Sequence, residues 1–151
     1  LKSGVQIPQK KTRRNRKARR VGNLNNKIMN WYVKVLKQYA DFSGRARRKE
    51  YWMFFLFNMI FATIAVLIDN LIGTASPELG YGVFYGIYIL GILIPSIAVG
   101  ARRLHDIGKS GWMLLVGLIP IIGTIWLLVL FVTDSQQGSN KWGNNPKELS
   151  A

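Results

Sequence analysis

Residues 112–132, WMLLVGLIPIIGTIWLLVLFV, decide the fold. The run holds no Asp, Glu, Lys or Arg, and Gly117, Pro120 and Gly123 interrupt its middle. Two readings compete. A re-entrant hairpin turning at the proline leaves each arm about ten residues, too short to cross a hydrocarbon core of roughly 30 Å. A single kinked helix does cross. The kinked helix is the expectation, and it makes this segment the third of three spans.

The other two spans carry fewer breaks. Residues 51–70 open with YWMFFLFNMIFATIAVLI, and residues 79–100 open with LGYGVFYGIYILGILIPSIAV. Neither quoted run contains a charged residue. About twenty apolar residues at 1.5 Å rise match the bilayer core. Ahead of them, NWYVKVLKQYADF (30–42) puts Trp31, Tyr32, Val35, Leu36 and Tyr39 on one helical face. Lys34, Lys37, Gln38 and Asp41 fall on the other. That pattern suits a membrane interface or packing against protein. The fold class read here is an all-α integral membrane protein: three transmembrane helices preceded by a short amphipathic interfacial helix.

Charge divides the chain. Lys and Arg number 21 against 7 Asp and Glu, a net charge of +14 in 151 residues, yet 49% of residues are hydrophobic. Residues 1–28 carry a large share of the bases and no acid. Such a run repels itself and reads as a basic disordered extension. Met29, where the composition changes, reads as the natural start of the domain 29–147, with a polar carboxyl tail over 133–151. No aromatic interleaves the arginines of the extension, so nucleic acid is not an expected partner.

The short loops set an orientation. Lys34, Lys37, Arg45, Arg47, Arg48 and Lys49 precede the first span, and Arg102, Arg103 and Lys109 follow the second. The intervening loop has Asp69 and Glu78 and no base. Basic loops stay inside, so the amino end is expected in the cytoplasm and, with three crossings, the carboxyl end outside.

Few residues offer chemistry. There is no cysteine and one histidine, so no self-contained metal site is expected. His105 and Asp106 adjoin in sequence and do not face each other on a helix, which argues against a catalytic pair. Only Ser43 and Ser110 stand as nucleophile candidates, and each reads better as a helix cap. No catalytic residue, metal ligand or cofactor is therefore assigned. Asp106 can instead meet Arg102 or Arg103, three or four positions back. Arg45, Arg48 and Glu50 join Arg102, Arg103, His105 and Asp106 as candidate residues for binding an anionic headgroup or a partner protein. Glu50 and Asp106 are expected to pair with arginines across the two loops. Gly82 and Gly86 form GxxxG, a helix-packing candidate, and Asn58 is expected to bond a neighbouring helix. Asp69 and Asn70 read as solvated at a span's end. Besides the lipid bilayer, a second copy of the chain or another membrane protein is the expected neighbour.

Three motifs in this order resemble a known family. FSGRARRKEYW (42–52), RRLHDIGKSGW (102–112) and GSNKWGNNPK (138–147) are similar to the bacterial inner-membrane family called domain of unknown function 805. The matched positions include Phe42, Gly44, Arg45, Arg48, Glu50 and Trp52, then Arg102 to Asp106 with Ser110, Gly111 and Trp112, then Gly138, Asn140, Gly143, Asn145 and Pro146. Trp142 stands where Phe or Tyr is usual in that family, and it keeps the aromatic ring. The resemblance implies a small multi-pass protein of the bacterial inner membrane and no particular activity. The leading functional expectation is a non-enzymatic binding or assembly component. The alternative is a subunit of a small-solute transporter or channel.

Overall fold

The computed structural model describes residues 29–148, so the basic run 1–28 and its expected disorder lie outside the described residues. Two units divide the chain, Leu1–Asn30 and Trp31–Ala151, and the second holds the helix packing. Helix α1 covers residues 29–37. Helices α2 (Arg48–Ile72) and α3 (Val83–Asp106) follow, then a 3-10 segment (Gly111–Leu118) and a short α4 (Ile122–Val132). The described residues hold no strand, only an isolated bridge between Asn140 and Gly143.

Helices α2 and α3 are long and apolar enough to cross a membrane. They run 25 and 24 residues, and their outer faces carry exposed leucines and isoleucines, with Leu71 at 86% and Leu90 at 71% exposure. Unpartnered apolar surface of that extent fits a lipid surround. The pair is joined at mid-length by polar groups. The Tyr88 hydroxyl donates to Asn58 Oδ1 at 2.6 Å, and the Asn58 amide donates to the Phe54 carbonyl of its own helix at 2.9 Å. The expected interhelical bond of Asn58 thus forms, with a tyrosine as donor.

Helix α1 packs on α2. Tyr32 and Val35 are buried, and the Tyr32 ring lies 5.3–5.5 Å from Phe54, Phe57 and Phe61. Leu36 and Tyr39, expected on the same face, remain exposed. The aromatic face of α1 is therefore shared between protein contact and the surroundings.

The third segment departs from the expected single kinked helix. It folds back on itself. The first arm is 3-10, eight residues long, and the second is α4, eleven residues long. At about 2.0 and 1.5 Å per residue both arms reach roughly 16 Å, half a bilayer core. Pro120 and Ile121 make the reversal. Ile121 has φ 64° and ψ −66°, and the Ile122 amide donates to the Pro120 carbonyl at 2.7 Å, the geometry of a γ-turn. A β-branched residue there is strained. Glycines let the arms nest: a Cβ on Gly123 would overlap the Val116 carbonyl, and one on Gly117 would come within 2.8 Å of Leu127. Arms of this length are too short to cross the bilayer but long enough to enter it and return. With one arm cancelled against the other, residues 133–136 come back beside Asp106, so the carboxyl tail sits at the same end of the helix pair as residues 44–50.

Two further expectations are corrected. Neither serine caps a helix through its side chain: α2 starts after Arg47 and the 3-10 segment after Ser110, both without a side-chain cap. The Ser43 hydroxyl instead donates to Asp41 at 2.5 Å, and this bond and the Ser43 amide hold the Asp41 carboxyl below the usual carboxylate range. Within this chain, Gly82 and Gly86 do not bring two helices together. Gly82 precedes α3, where a Cβ would strike the Thr74 carbonyl and Asp69 Oδ1, and Gly86 has open space around it.

Candidate functional site

The site is built where α2 begins and α3 ends. Helix α3 runs further than the second apolar span, so Arg102, Arg103, His105 and Asp106 are its last turns and all are buried. The structure surrounds them with protein.

Asp106 is the centre. Its Oδ1 accepts from Arg45 Nε at 3.1 Å. Its Oδ2 accepts from Arg103 Nη1 at 2.5 Å and from the Ser135 hydroxyl at 2.6 Å. Arg45, in the loop before α2, spends every donor of its fork. Nη1 reaches the carbonyls of Gly138 (2.8 Å) and Gly143 (3.3 Å), and Nη2 those of Gln136 (2.5 Å) and Asp106 (3.3 Å). Buried ion pairs persist when their remaining donors are satisfied, as here.

Arginines also terminate α4. Arg103 donates to the Phe131 carbonyl at 3.2 Å and to that of Thr133, and Arg48 donates to Val132 at 2.9 Å. The last carbonyls of a helix lack partners and carry the negative end of its dipole. Two guanidiniums meet that need, and they pin the returning hairpin arm to α2 and α3.

Glu50 forms a second, looser centre. Lys34 Nζ lies 2.6 Å from Oε2 and Arg102 Nη1 3.5 Å from Oε1. Arg102 also bonds Gln38, while its Nε and Nη2 have no hydrogen-bond partner among the described residues. The expected cross-loop pairing thus occurs, Asp106 with Arg45 and Glu50 with Arg102. Within α3, Asp106 pairs with Arg103 and not with Arg102.

His105 stands apart from both centres. Its Nδ1 lies 3.2 Å from the Gly44 carbonyl, which makes Nδ1 the protonated nitrogen of the neutral ring and Nε2 the acceptor. The ring stacks on Trp142 with centroids 4.4 Å apart and planes at 11°, and Lys141 Nζ lies 4.2 Å from the Trp142 centroid on its own account. Asn140 bonds the His105 carbonyl at 2.9 Å and fixes the turn that carries Trp142. Beside this stack runs a groove of about 540 Å³ between α3, the 3-10 segment and residues 141–142.

Several members of the site were not foreseen. Ser135, Gln136 and Asn140 were read as polar tail, yet they bond Asp106, Arg45 and His105. Lys34 and Gln38 fall on the polar face of α1, with no expected partner, yet they reach Glu50 and Arg102. The one available signal was the motif 138–147, whose glycines and asparagines mark an ordered turn.

The opposite end is closed by Asp69, which is fully buried rather than solvated. Its carboxylate accepts from the backbone amides of Gly82 (3.1 Å), Phe84 (3.0 Å) and Tyr85 (2.9 Å) and from the Thr74 hydroxyl (2.7 Å). It caps α3 in place of Gly82, which has no side chain to do so.

The three motifs meet in one place: Gly44, Arg45 and Glu50, Arg102 to Asp106, and Gly138 to Gly143. This convergence explains why they occur together. A family profile described as "protein of unknown function (DUF805)" matches residues 39–144, which takes in the first two motifs and the third as far as Asn144. The chain belongs to the DUF805 family. It is 46% identical over 119 residues to the inner membrane protein YhaI of Escherichia coli K12, covering 79% of this chain and 97% of that protein. The inner membrane protein YhaH of the same strain is 44% identical over 119 residues, covering 79% and 98%. The uncharacterized protein YiiR is 29% identical over 134 residues, covering 72% and 88%. No solved structure matches.

Proposed function

We propose that this DUF805 protein is a non-catalytic component of the bacterial inner membrane whose basic end, at the cytoplasmic surface, binds anionic lipid. Helices α2 and α3 span the bilayer, the hairpin enters and returns, and both described ends lie in the cytoplasm. One observation carries the binding reading. Glu50 and Asp106 are fully buried and matched by Lys34, Arg45, Arg102 and Arg103, so their charge does not reach the surface. What this end displays outward is Lys37, Lys49, Lys109 and Lys141, all exposed, against exposed Asp134 and Glu148, so its surface is basic on balance. Basic groups at the cytoplasmic leaflet attract anionic headgroups, at about 1 kcal/mol each near the surface.

This moves the binding role outward from the residues first proposed for it. Arg45, Arg102 and Arg103 hold the end together, and the exposed cations meet the ligand. A transport role fits less well. Asn58 is bonded to Tyr88, and Thr63 donates to the Met59 carbonyl at 2.8 Å, so neither offers a free polar lining.

The test is lipid analysis of the full chain extracted in mild detergent. Anionic phospholipid should be enriched over its share of the membrane, and the bulk ratio would overturn the binding role. Single cysteines at Glu78, Lys109 and Ser139 check the topology. Impermeant maleimide should label positions 109 and 139 only from the cytoplasmic side and position 78 only from outside. Labelling of 139 from outside sinks the hairpin arrangement.

A further inference from the structure

We infer that the groove beside His105 is a seat for one phospholipid whose headgroup is anionic and carries free hydroxyls, of the phosphatidylglycerol type. This deepens the lipid-binding reading above and rests on it. The groove is graded. Ile97 on α3 and Leu114 and Leu115 on the 3-10 segment form its apolar part, while His105, Ser110 and Lys141 form its polar part. Ile97 and His105 lie eight residues apart on one helix, about 12 Å along its axis. That order runs from the bilayer side of α3 to its surface end, which is how a phospholipid is itself arranged.

The polar part is specific in its chemistry. Lys141 supplies a cation for a phosphate, 4.2 Å from the centroid of Trp142, and Trp142 stacks on His105. His105 Nδ1 is committed to the Gly44 carbonyl, so Nε2 presents a lone pair. No described residue donates to it. Gly111 keeps space open next to that atom, since a Cβ there would lie 3.3 Å from Nε2 and 3.0 Å from Ala101 Cβ. The Ser110 side chain makes no hydrogen bond with a described residue and is exposed. An acceptor, a hydroxyl and a cation around one mouth match a phosphate that bears a glycerol. They match an ammonium headgroup poorly, because Lys141 repels it.

The experiment uses the full chain in detergent, titrated with phosphatidylglycerol or phosphatidylethanolamine of identical acyl chains and read by native mass spectrometry. Glycerol phosphate alone is a third arm. One phosphatidylglycerol should be retained at least tenfold better than phosphatidylethanolamine, and glycerol phosphate should not be retained. Lys141→Glu, at an exposed position, should abolish the preference. Leu115→Trp, also exposed, should reduce retention of both lipids by filling the apolar part. Equal retention of the two lipids by the unmodified chain overturns the inference. So does an anionic preference that survives both substitutions, although that outcome leaves lipid binding by the basic end intact. Retention of glycerol phosphate alone would make the seat a soluble-anion site and overturn the lipid assignment. Failure to retain any anionic lipid overturns both readings together.

Discussion

The two ends of the α2–α3 pair meet the same requirement, partners for helix-terminal groups, by different means. At one end a single carboxylate, Asp69, faces backbone amides and a threonine hydroxyl. At the other, Glu50 and Asp106 face guanidiniums drawn from separate parts of the chain. The Asp69 end is local: residues 69–85 contain all of it. The arginine end needs the loop before α2, the end of α3 and the segment after α4. One end is a joint between two helices. The other is the knot that ties the whole domain, and damage there should spread further.

The largest effect should come from breaking that knot at its centre. Asp106→Asn leaves Arg45 and Arg103 buried without their counter-charge. Removing one member of a buried ionic group costs about 3–5 kcal/mol. Denaturant unfolding in detergent micelles, followed by circular dichroism, should show that loss. Protease should also cut residues 133–137 faster, because Arg103 then holds the α4 carbonyls less firmly. A loss below about 1 kcal/mol would mean the carbonyls alone suffice and that the charge network is incidental.

Gly123→Ala attacks the same end through the hairpin. The added methyl overlaps a backbone carbonyl, which has no rotamer to escape into. Overpacking of this kind costs about 1–3 kcal/mol. The damage should be confined to the hairpin and tail, leaving the Tyr88–Asn58 contact in place. Crosslinking between cysteines at positions 117 and 127 should fall in the variant; unchanged crosslinking would argue that the arms do not nest.

At the joint, Asp69→Ala removes a cap. The expected loss is about 2 kcal/mol, the upper end for capping residues. Amide exchange should speed up in the first turn of α3 and stay unchanged at Asp106. Faster exchange at both ends would erase the distinction between joint and knot.

How much of this was readable beforehand follows the same division. The long apolar runs gave α2 and α3, because twenty uncharged residues have few soluble uses. Pairing of Glu50 and Asp106 with arginines was readable from charge and from the two basic loops. Asp69 was not, since its partners are backbone amides, which sequence does not mark; only Gly82 hinted that something else had to cap α3. The hairpin was misjudged for a physical reason. Gly117, Pro120 and Gly123 permit a kink as readily as a reversal, and the choice is made by Arg48 and Arg103, which bind the carbonyls at the far end of α4. Those contacts are distant in sequence. His105 is legible only as a candidate binding residue, because its stacking partner Trp142 lies 37 positions away along the chain.

The smallest effect tests what lies between the two ends. Tyr88→Phe deletes one interhelical hydroxyl and leaves the ring. Interhelical hydrogen bonds in membranes average about 0.6 kcal/mol, because the separated helices find other partners. The Asn58 amide already donates to the Phe54 carbonyl, so the variant strands only one acceptor lone pair. Unfolding should shift by about that amount, with no change in protease sensitivity at either end. Asn58→Leu in the same background should cost little more, since the partner is already gone. A loss above about 2 kcal/mol for Tyr88→Phe would place the decisive polar contact of the pair at mid-membrane rather than at its ends, and the contrast between joint and knot would then describe only the periphery of the fold.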